Sequence, residues 1–261
     1  MTDPPIRFDD GAAYERMMGV WSRLAGDVFL DWLAPKAGQS WLDVGCGNGA
    51  FSELIVTRTA PGAVDGIDPS EGQLSYARTR PATGKVQFRQ GSATELPYAD
   101  NAFDHATMAL VLFFVPDPAK GVAEMARVVK PGGSVSAYTW DIFGDGFPQE
   151  RVFKELRAMG RTPSRPPQSE ASRIAVKAQL WKDAGLTDIE TRVITVERTF
   201  ENFDDLWGIM LTSPTIKASM AEMTPAEGAE LKDRARRAFP AAADGRITYP
   251  AWANAVKGRV A

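Results

Sequence analysis

The chain has one cysteine, Cys46, and one histidine, His105, among 261 residues. A lone thiol cannot close an intramolecular disulfide, and one imidazole beside one thiol leaves little for a His/Cys metal centre, so no metal is expected. Long apolar runs are missing as well. The longest, residues 108–115, is far short of the roughly 20 residues that span a bilayer. The N-terminal Met-Thr-Asp-Pro-Pro has no basic region followed by an apolar stretch, so no secretory signal and no membrane association are expected, and the composition fits a reducing cytoplasm. Thirty Lys and Arg stand against 33 Asp and Glu, a formal net charge of −3 that offers no general attraction to nucleic-acid phosphates. No coiled-coil repeat marks a partner helix, and the oligomeric state is left open.

What the chain does have is apolar content, 44%, enough to fill one sizeable core in a single domain. Strands are expected at residues 40–46, 63–68, 86–91, 103–111 and 134–140, each apolar on both faces, as in a parallel sheet covered by helices on both sides. Helices fall between them. The clearest runs over 117–130: Asp117 caps it, Pro118 takes its first position, Val122, Met125, Ala126 and Val129 form its buried stripe, and Pro131-Gly132-Gly133 stops it. Ser70 caps a helix directed toward Arg80. A later helix over 172–184 leads to a Thr-, Val- and Ile-rich strand at 189–199, and 246–260 supplies a last strand, seven in all.

The run Trp41-Leu-Asp-Val-Gly-Cys-Gly-Asn-Gly49 carries the chemistry. Three glycines at alternate positions follow an apolar strand and precede Phe51, Leu54 and Ile55 at helical spacing, which reads as a strand-to-helix turn with bare N–H groups. Such turns suit anions, and Gly45-Cys-Gly47-Asn-Gly-Ala50 can be fitted to the dinucleotide pattern Gly-x-Gly-x-x-Gly/Ala. Asp43 and Gly49 extend it to Asp-x-Gly-x-Gly-x-Gly. A carboxylate at that point repels a pyrophosphate and suits a cationic amino group.

With these residues the segment 41–140 resembles class I S-adenosylmethionine-dependent methyltransferases, particularly the ubiquinone/menaquinone-biosynthesis-like (methyltransferase type 11) branch. Its later segments follow in the family's order: Ala63-Val-Asp-Gly-Ile-Asp68-Pro-Ser70, Phe88-Arg-Gln-Gly91-Ser92-Ala93, Phe103-Asp104 to Val115, and Val128-Val129-Lys130-Pro131-Gly132-Gly133. The resemblance implies a Rossmann-like doubly wound α/β fold: a seven-stranded, mostly parallel sheet with the last strand antiparallel, plus a helical lid. Within one methyltransferase domain over 1–261, it implies N-terminal cap helices at 1–34, a cofactor-binding core at 35–142, lid segments at 143–170 and 200–245, and segments 171–199 and 246–261 completing the sheet.

The cofactor implied is S-adenosylmethionine, with a small molecule as the acceptor. Its contacts by resemblance are Asp43, Gly45, Cys46, Gly47 and Gly49 in the turn, Asp68 accepting both ribose hydroxyls with Pro69 beside it, and Gln73, Ser92 and Ala93 toward the adenine. Leu110, at the end of the fourth strand, is a further cofactor contact. Asp65 competes for the ribose role but lies earlier, inside its strand. Ser92 departs from the family, which usually places an acid there, and a hydroxyl accepts more weakly; Gln73 stands where an apolar side chain is usual. Tyr14 and Arg23, on the N-terminal segment, are placed at the methionine end. Phe113, Phe114, Trp140 and Trp207 are candidates for the acceptor pocket, and Phe203, Met210 and Met220 either join them or pack the lid on the core. His105, near the start of the fourth strand, reads as structural because sites in such sheets gather beyond the carboxyl ends. No catalytic residue is assigned; Asp141 is a placeholder for a base. An NAD(P)-dependent oxidoreductase and a non-catalytic S-adenosylmethionine-binding protein stand as the rival readings.

Overall fold

Apolar segments with no polar face can be buried only inside a sheet covered on both sides, and four of the first five strands take that position; the third, Val86–Gln90, lies at the sheet edge with Gln87, Arg89 and Gln90 exposed, against the expectation of two apolar faces. The computed structural model describes residues 15–261. Its strands are β1 (Ser40–Val44), β2 (Ala63–Asp68), β3 (Val86–Gln90), β4 (Phe103–Ala109), β5 (Val129–Trp140), β6 (Thr187–Phe200) and β7 (Ile247–Arg259), in the order β3-β2-β1-β4-β5-β7-β6. β1 to β5 run parallel. β7 inserts antiparallel between β5 and β6.

The helices are α1 (Val20–Leu33), preceded by a π-helical turn at Glu15–Gly19, then α2 (Ala50–Thr59), α3 (Glu71–Ala77), α4 (Pro118–Val128), α5 (Glu150–Ala158), α6 (Ile174–Asp183), α7 (Phe203–Met210), α8 (Pro214–Ala221) and α9 (Pro225–Ala238). Successive β1 side chains alternate between the two cores. Trp41 joins Phe29, Phe51 and Ile55 of α1 and α2, while Leu42 and Val44 join Met108, Val122 and Met125 on the other face.

Several element bounds differ from the sequence expectation, two of them for clear physical reasons, and one helix is additional. α4 ends at Val128, because Val129 pairs with Phe103 and begins β5; the Pro131-Gly132-Gly133 turn lies within that strand, with a register shift between Phe103 and His105. β4 ends at Ala109, because Leu110 turns to φ +64, a conformation no regular strand holds. Between residues 143 and 170 the chain forms α5, which its prolines and basic residues did not announce; Val152, Phe153 and Leu156 supply its buried face.

Candidate functional site

The glycine turn is held by its neighbours from below. Gly45 and Cys46 both donate their N–H groups to the Ile67 carbonyl at the end of β2, at 2.7 and 3.1 Å. All three glycines have positive φ, +74, +50 and +78, which L side chains resist. Space separates their roles. A Cβ on Gly45 would come within 2.4 Å of Val111, and one on Gly49 within 2.9 Å of Ala77, so these two let backbone pack against core. A Cβ on Gly47 would meet nothing nearer than 4.0 Å. Gly47 therefore forms the open face of the cradle.

Asp68 closes that face. Its Oδ2 accepts the Gly47 N–H at 2.9 Å and its Oδ1 accepts the Ser70 N–H at 2.8 Å. Burial raises its pKa against the pull of those two donors. Asp43 lies deeper, fully buried, on the β1 face that carries Trp41. Its Oδ2 accepts the Ser52 hydroxyl of α2 at 2.6 Å, while Oδ1 has no partner. Burial, with a smaller contribution from Asp68, pushes its carboxyl up to about 7 against the Ser52 hydrogen bond. Cys46 is buried and its thiol is raised well above the usual range, chiefly by burial, which leaves it a packing residue and a poor nucleophile.

The adenine-side candidates are spread more widely. Gln73 is buried in the first turn of α3, and its side-chain oxygen, with the Gly45 carbonyl, borders the space before Gly47 at 4.0 Å. Pro69 is exposed, and its carbonyl accepts from Gln90. Ser92 is exposed and its hydroxyl is engaged locally, 2.9 Å from the Thr94 hydroxyl and accepting the Thr94 N–H. Ala93 packs on the second core cluster. Asp65 sits within β2, as expected.

Tyr14 lies outside the described residues. Arg23, placed at the methionine end by resemblance, is exposed and pairs with Glu15 at 3.4 Å. Glu15 opens a network that local sequence did not reveal. It accepts from Asn48 Nδ2 of the glycine turn at 3.1 Å and also pairs with Arg80. The Arg80 guanidinium, nearly buried, donates further to the Asn48 carbonyl at 2.6 Å and to Glu53 at 2.8 Å. The one sequence signal for it was a polar residue, Asn48, between the glycines.

Beside the cradle lies an apolar pocket, with an empty volume of about 780 Å³ including the solvent at its mouth. Leu110, Phe113, Phe114 and Trp140 from the ends of β4 and β5 form one side; Met17 and Met18 belong to a second wall. Phe147 and Phe153, with residues 163–166 and 213–215, close it from the segments after β5 and β6. The cradle and pocket share a wall: Val111 presses on Gly45 while its neighbour Leu110 lines the pocket.

Trp207 lies apart from this group. It is buried in α7, stacked on Phe203 with 6.0 Å between ring centroids, and does not line this pocket. Phe203 and Met210 are buried in the same core cluster, and Met220 packs against it, because the apolar stripe of α7 faces the core. Asp141 is occupied too, its Oδ1 accepting the N–H groups of Phe143 and Gly144. His105 stacks on Trp41 at 4.3 Å and meets the Gln39 side chain at 3.0 Å, and burial lowers its pKa to about 4. It is a packed, neutral imidazole near the start of β4.

These features test what the cradle fits. A pyrophosphate would meet the carboxylates of Asp43 and Asp68, whereas vicinal hydroxyls and a cationic amino acid suit acceptor oxygens. A dinucleotide fold would also continue its sheet with parallel strands in the order 3-2-1-4-5-6. Here β7 runs antiparallel inside the sheet. The orphaned Asp43 oxygen, the open Gly47 face and Asp68 fit S-adenosylmethionine. Among the described residues, no group of three or more His, Cys, Asp or Glu is placed to hold a metal, and no helix is long and apolar enough to cross a membrane.

Comparison with known proteins agrees. Residues 42–137 match the methyltransferase domain family model. A demethylmenaquinone methyltransferase of Desulfitobacterium hafniense is 44% identical over 105 residues, covering 38% of this chain and 42% of the relative. A ubiquinone/menaquinone biosynthesis C-methyltransferase of Roseobacter denitrificans is 36% identical over 115 residues, covering 42% and 46%. The chain thus spans less than half the length of these curated relatives. Among solved structures, the YcgJ protein of Bacillus subtilis superposes with a TM-score of 0.58 at 19% identity, covering 90% of this chain and 97% of that one. Phosphoethanolamine N-methyltransferase 2 of Haemonchus contortus does so at 0.56 and 21%, covering 97% and 57%. The similarity to the methyltransferase domain family thus lies in residues 42–137, the segment that holds the glycine turn, Asp68 and the parallel strands.

Proposed function

We propose that the protein transfers the methyl group of S-adenosylmethionine to a small aromatic acceptor by in-line displacement. The observation that carries this reading is the shared wall: a cofactor cradle and an apolar pocket meet at Leu110 and Val111. Bound S-adenosylmethionine supplies a methyl group already activated by its sulfonium. In this reading Asp68 accepts from the ribose hydroxyls, and Gly45, Gly47 and Gly49 present main chain beside Cys46. Asp43 faces the amino-acid end, and Pro69, Gln73, Ser92 and Ala93 border the adenine.

The remaining work falls to positioning. Phe113, Phe114 and Trp140 hold a flat acceptor and keep water out, and well-oriented reactants gain roughly 7–11 kcal/mol from proximity. An acceptor that ionises by itself needs no dedicated base. The segments 143–170 and 200–245 act as the lid, since both line the pocket. The family match ends at residue 137, before Trp140 and both lid segments, so the acceptors named for the relatives do not carry over. The acidic balance speaks against nucleic-acid acceptors, and the single buried thiol is consistent with a cytoplasmic setting.

Calorimetric titration with S-adenosylmethionine and S-adenosylhomocysteine, followed by a metabolite extract with isotopically labelled methyl donor, tests this. One bound cofactor per chain and label recovered on a small aromatic compound are expected. Asp68→Asn should weaken cofactor binding about 10- to 150-fold through lost charge-assisted hydrogen bonds. NAD(P) binding in place of S-adenosylmethionine, or unchanged affinity in Asp68→Asn, contradicts the reading. Tight cofactor binding with no labelled product supports the non-catalytic alternative.

A further inference from the structure

Among the described residues around the pocket, two polar groups lack a hydrogen-bond partner, the buried Trp140 indole N–H and the Arg165 guanidinium, and the other polar side chains engage one another. Gln149 accepts the Ser213 hydroxyl at 2.9 Å, the Ser164 and Thr215 hydroxyls lie 3.3 Å apart, and Glu150 is paired with Arg157. Arg165 makes no hydrogen bond or ion pair among the described residues. Its guanidinium lies 5.3 Å from the ring centroid of Phe143, which leaves its N–H edge unengaged.

The segment carrying Arg165 is held in place. Pro166 restricts the preceding backbone to extended conformations. Two residues further, Gln168 donates its N–H to the Phe113 carbonyl at 3.0 Å and its side-chain amide to the Pro116 carbonyl at 3.1 Å. Arg165 is thereby tied to the same turn that supplies the aromatic wall. Charge points the same way. Among the described residues, the charged groups lining the pocket are two guanidiniums and one carboxylate, and Glu150 answers Arg157.

We propose that Arg165 is the anion-recognition residue of the acceptor site, and that the acceptor is an aromatic carboxylic acid. This rests on the methyltransferase reading above. The ring lies between Phe113, Phe114 and Trp140 near the donor, and the carboxylate, at the exposed mouth, meets the guanidinium fork in the two-bond geometry that planar group favours. A dianionic phosphate fits less well, because Arg157 is already neutralised and no second free cation lines the pocket among the described residues.

The full chain, saturated with S-adenosylhomocysteine, is titrated calorimetrically with 4-hydroxybenzoate, 3,4-dihydroxybenzoate and 4-hydroxycinnamate, each against its methyl ester. At least one acid is expected to bind about tenfold or more tighter than its ester, the scale of a charge-assisted pair. R165Q should remove that preference by weakening the acid alone, and R165K should restore part of it. Because Arg165 is exposed and bonds to no protein group, R165Q should melt with wild type. Binding of the esters as tightly as the acids, no binding of any acid, or an acid preference that survives in R165Q overturns the proposal. Those outcomes with S-adenosylhomocysteine still bound reject Arg165's role and leave the methyltransferase reading standing; a chain that does not bind S-adenosylhomocysteine rejects the reading itself.

Discussion

Asp43 is a buried carboxyl in the proposed cofactor cradle, and its burial costs stability. Its carboxyl titrates near 7 in the folded chain against 3.8 as the ordinary value. Between those values the folded state keeps a proton that the unfolded state releases, so stability falls as pH rises through the window. His105 has the opposite sign: its pKa is lowered from 6.5 to about 4, so its contribution is present above 6.5 and is lost as pH falls through 4. Asp43→Asn keeps an acceptor for the Ser52 hydroxyl and removes the buried charge. Calorimetric melts should show the variant more stable than wild type at pH 8, by on the order of 1–3 kcal/mol, and equal to it below about pH 4. Its affinity for S-adenosylmethionine should fall at the same time, a trade expected of strained functional residues. An identical pH dependence in the two proteins would show that the carboxyl is not held near neutrality.

At the scale of elements, the glycine turn divides its labour in a way that spacing alone did not show. Sequence presented three equivalent glycines, yet Gly45 and Gly49 press against Val111 and Ala77 while Gly47 faces open space. Gly45→Ala should therefore cost about 1–3 kcal/mol of stability from overpacking, added to backbone strain. Gly47→Ala should melt within about 1 kcal/mol of wild type yet bind S-adenosylmethionine at least tenfold more weakly. Thermal melts paired with cofactor titration check this, and equal effects at both glycines would mean that neither opens the cradle. Caps were easier to read than ends. Asp117 and Ser70 accept N–H groups in the first turns of α4 and α3, as their side-chain chemistry dictates. The ends of α4 and β4 were set by pairing with other strands and by a left-handed residue, Leu110, that no local pattern announces.

Over the whole molecule, Arg80 ties distant parts together. One guanidinium joins Glu15 of the N-terminal turn, Glu53 of α2 and the Asn48 carbonyl of the cradle, while Met17 and Met18 from the same turn line the pocket. The Met17–Met18 wall of the pocket and the glycine turn are thus joined through one hydrogen-bonded segment. Arg80→Ala should raise amide exchange at residues 15–33 and 45–50, leave the β6–β7 ladder protected, and weaken binding of cofactor and acceptor together. Exchange measured by mass spectrometry, with ligand titrations, would contradict the link if cofactor binding alone changed.

The sequence by itself determined the sheet and the cradle. Both depend on short-range physics: apolar runs that must be buried on two faces, caps that satisfy free N–H groups, and glycines that accept positive φ where an acid follows on the next strand. Tertiary structure alone decided the pocket, because its walls come from residues as far apart as Met17, Trp140 and Ser213 and no spacing encodes their meeting. It also decided which aromatics face it. Trp207 and Trp140 look alike in sequence and are buried in the same core cluster, but Trp140, at the end of a strand, also borders the pocket.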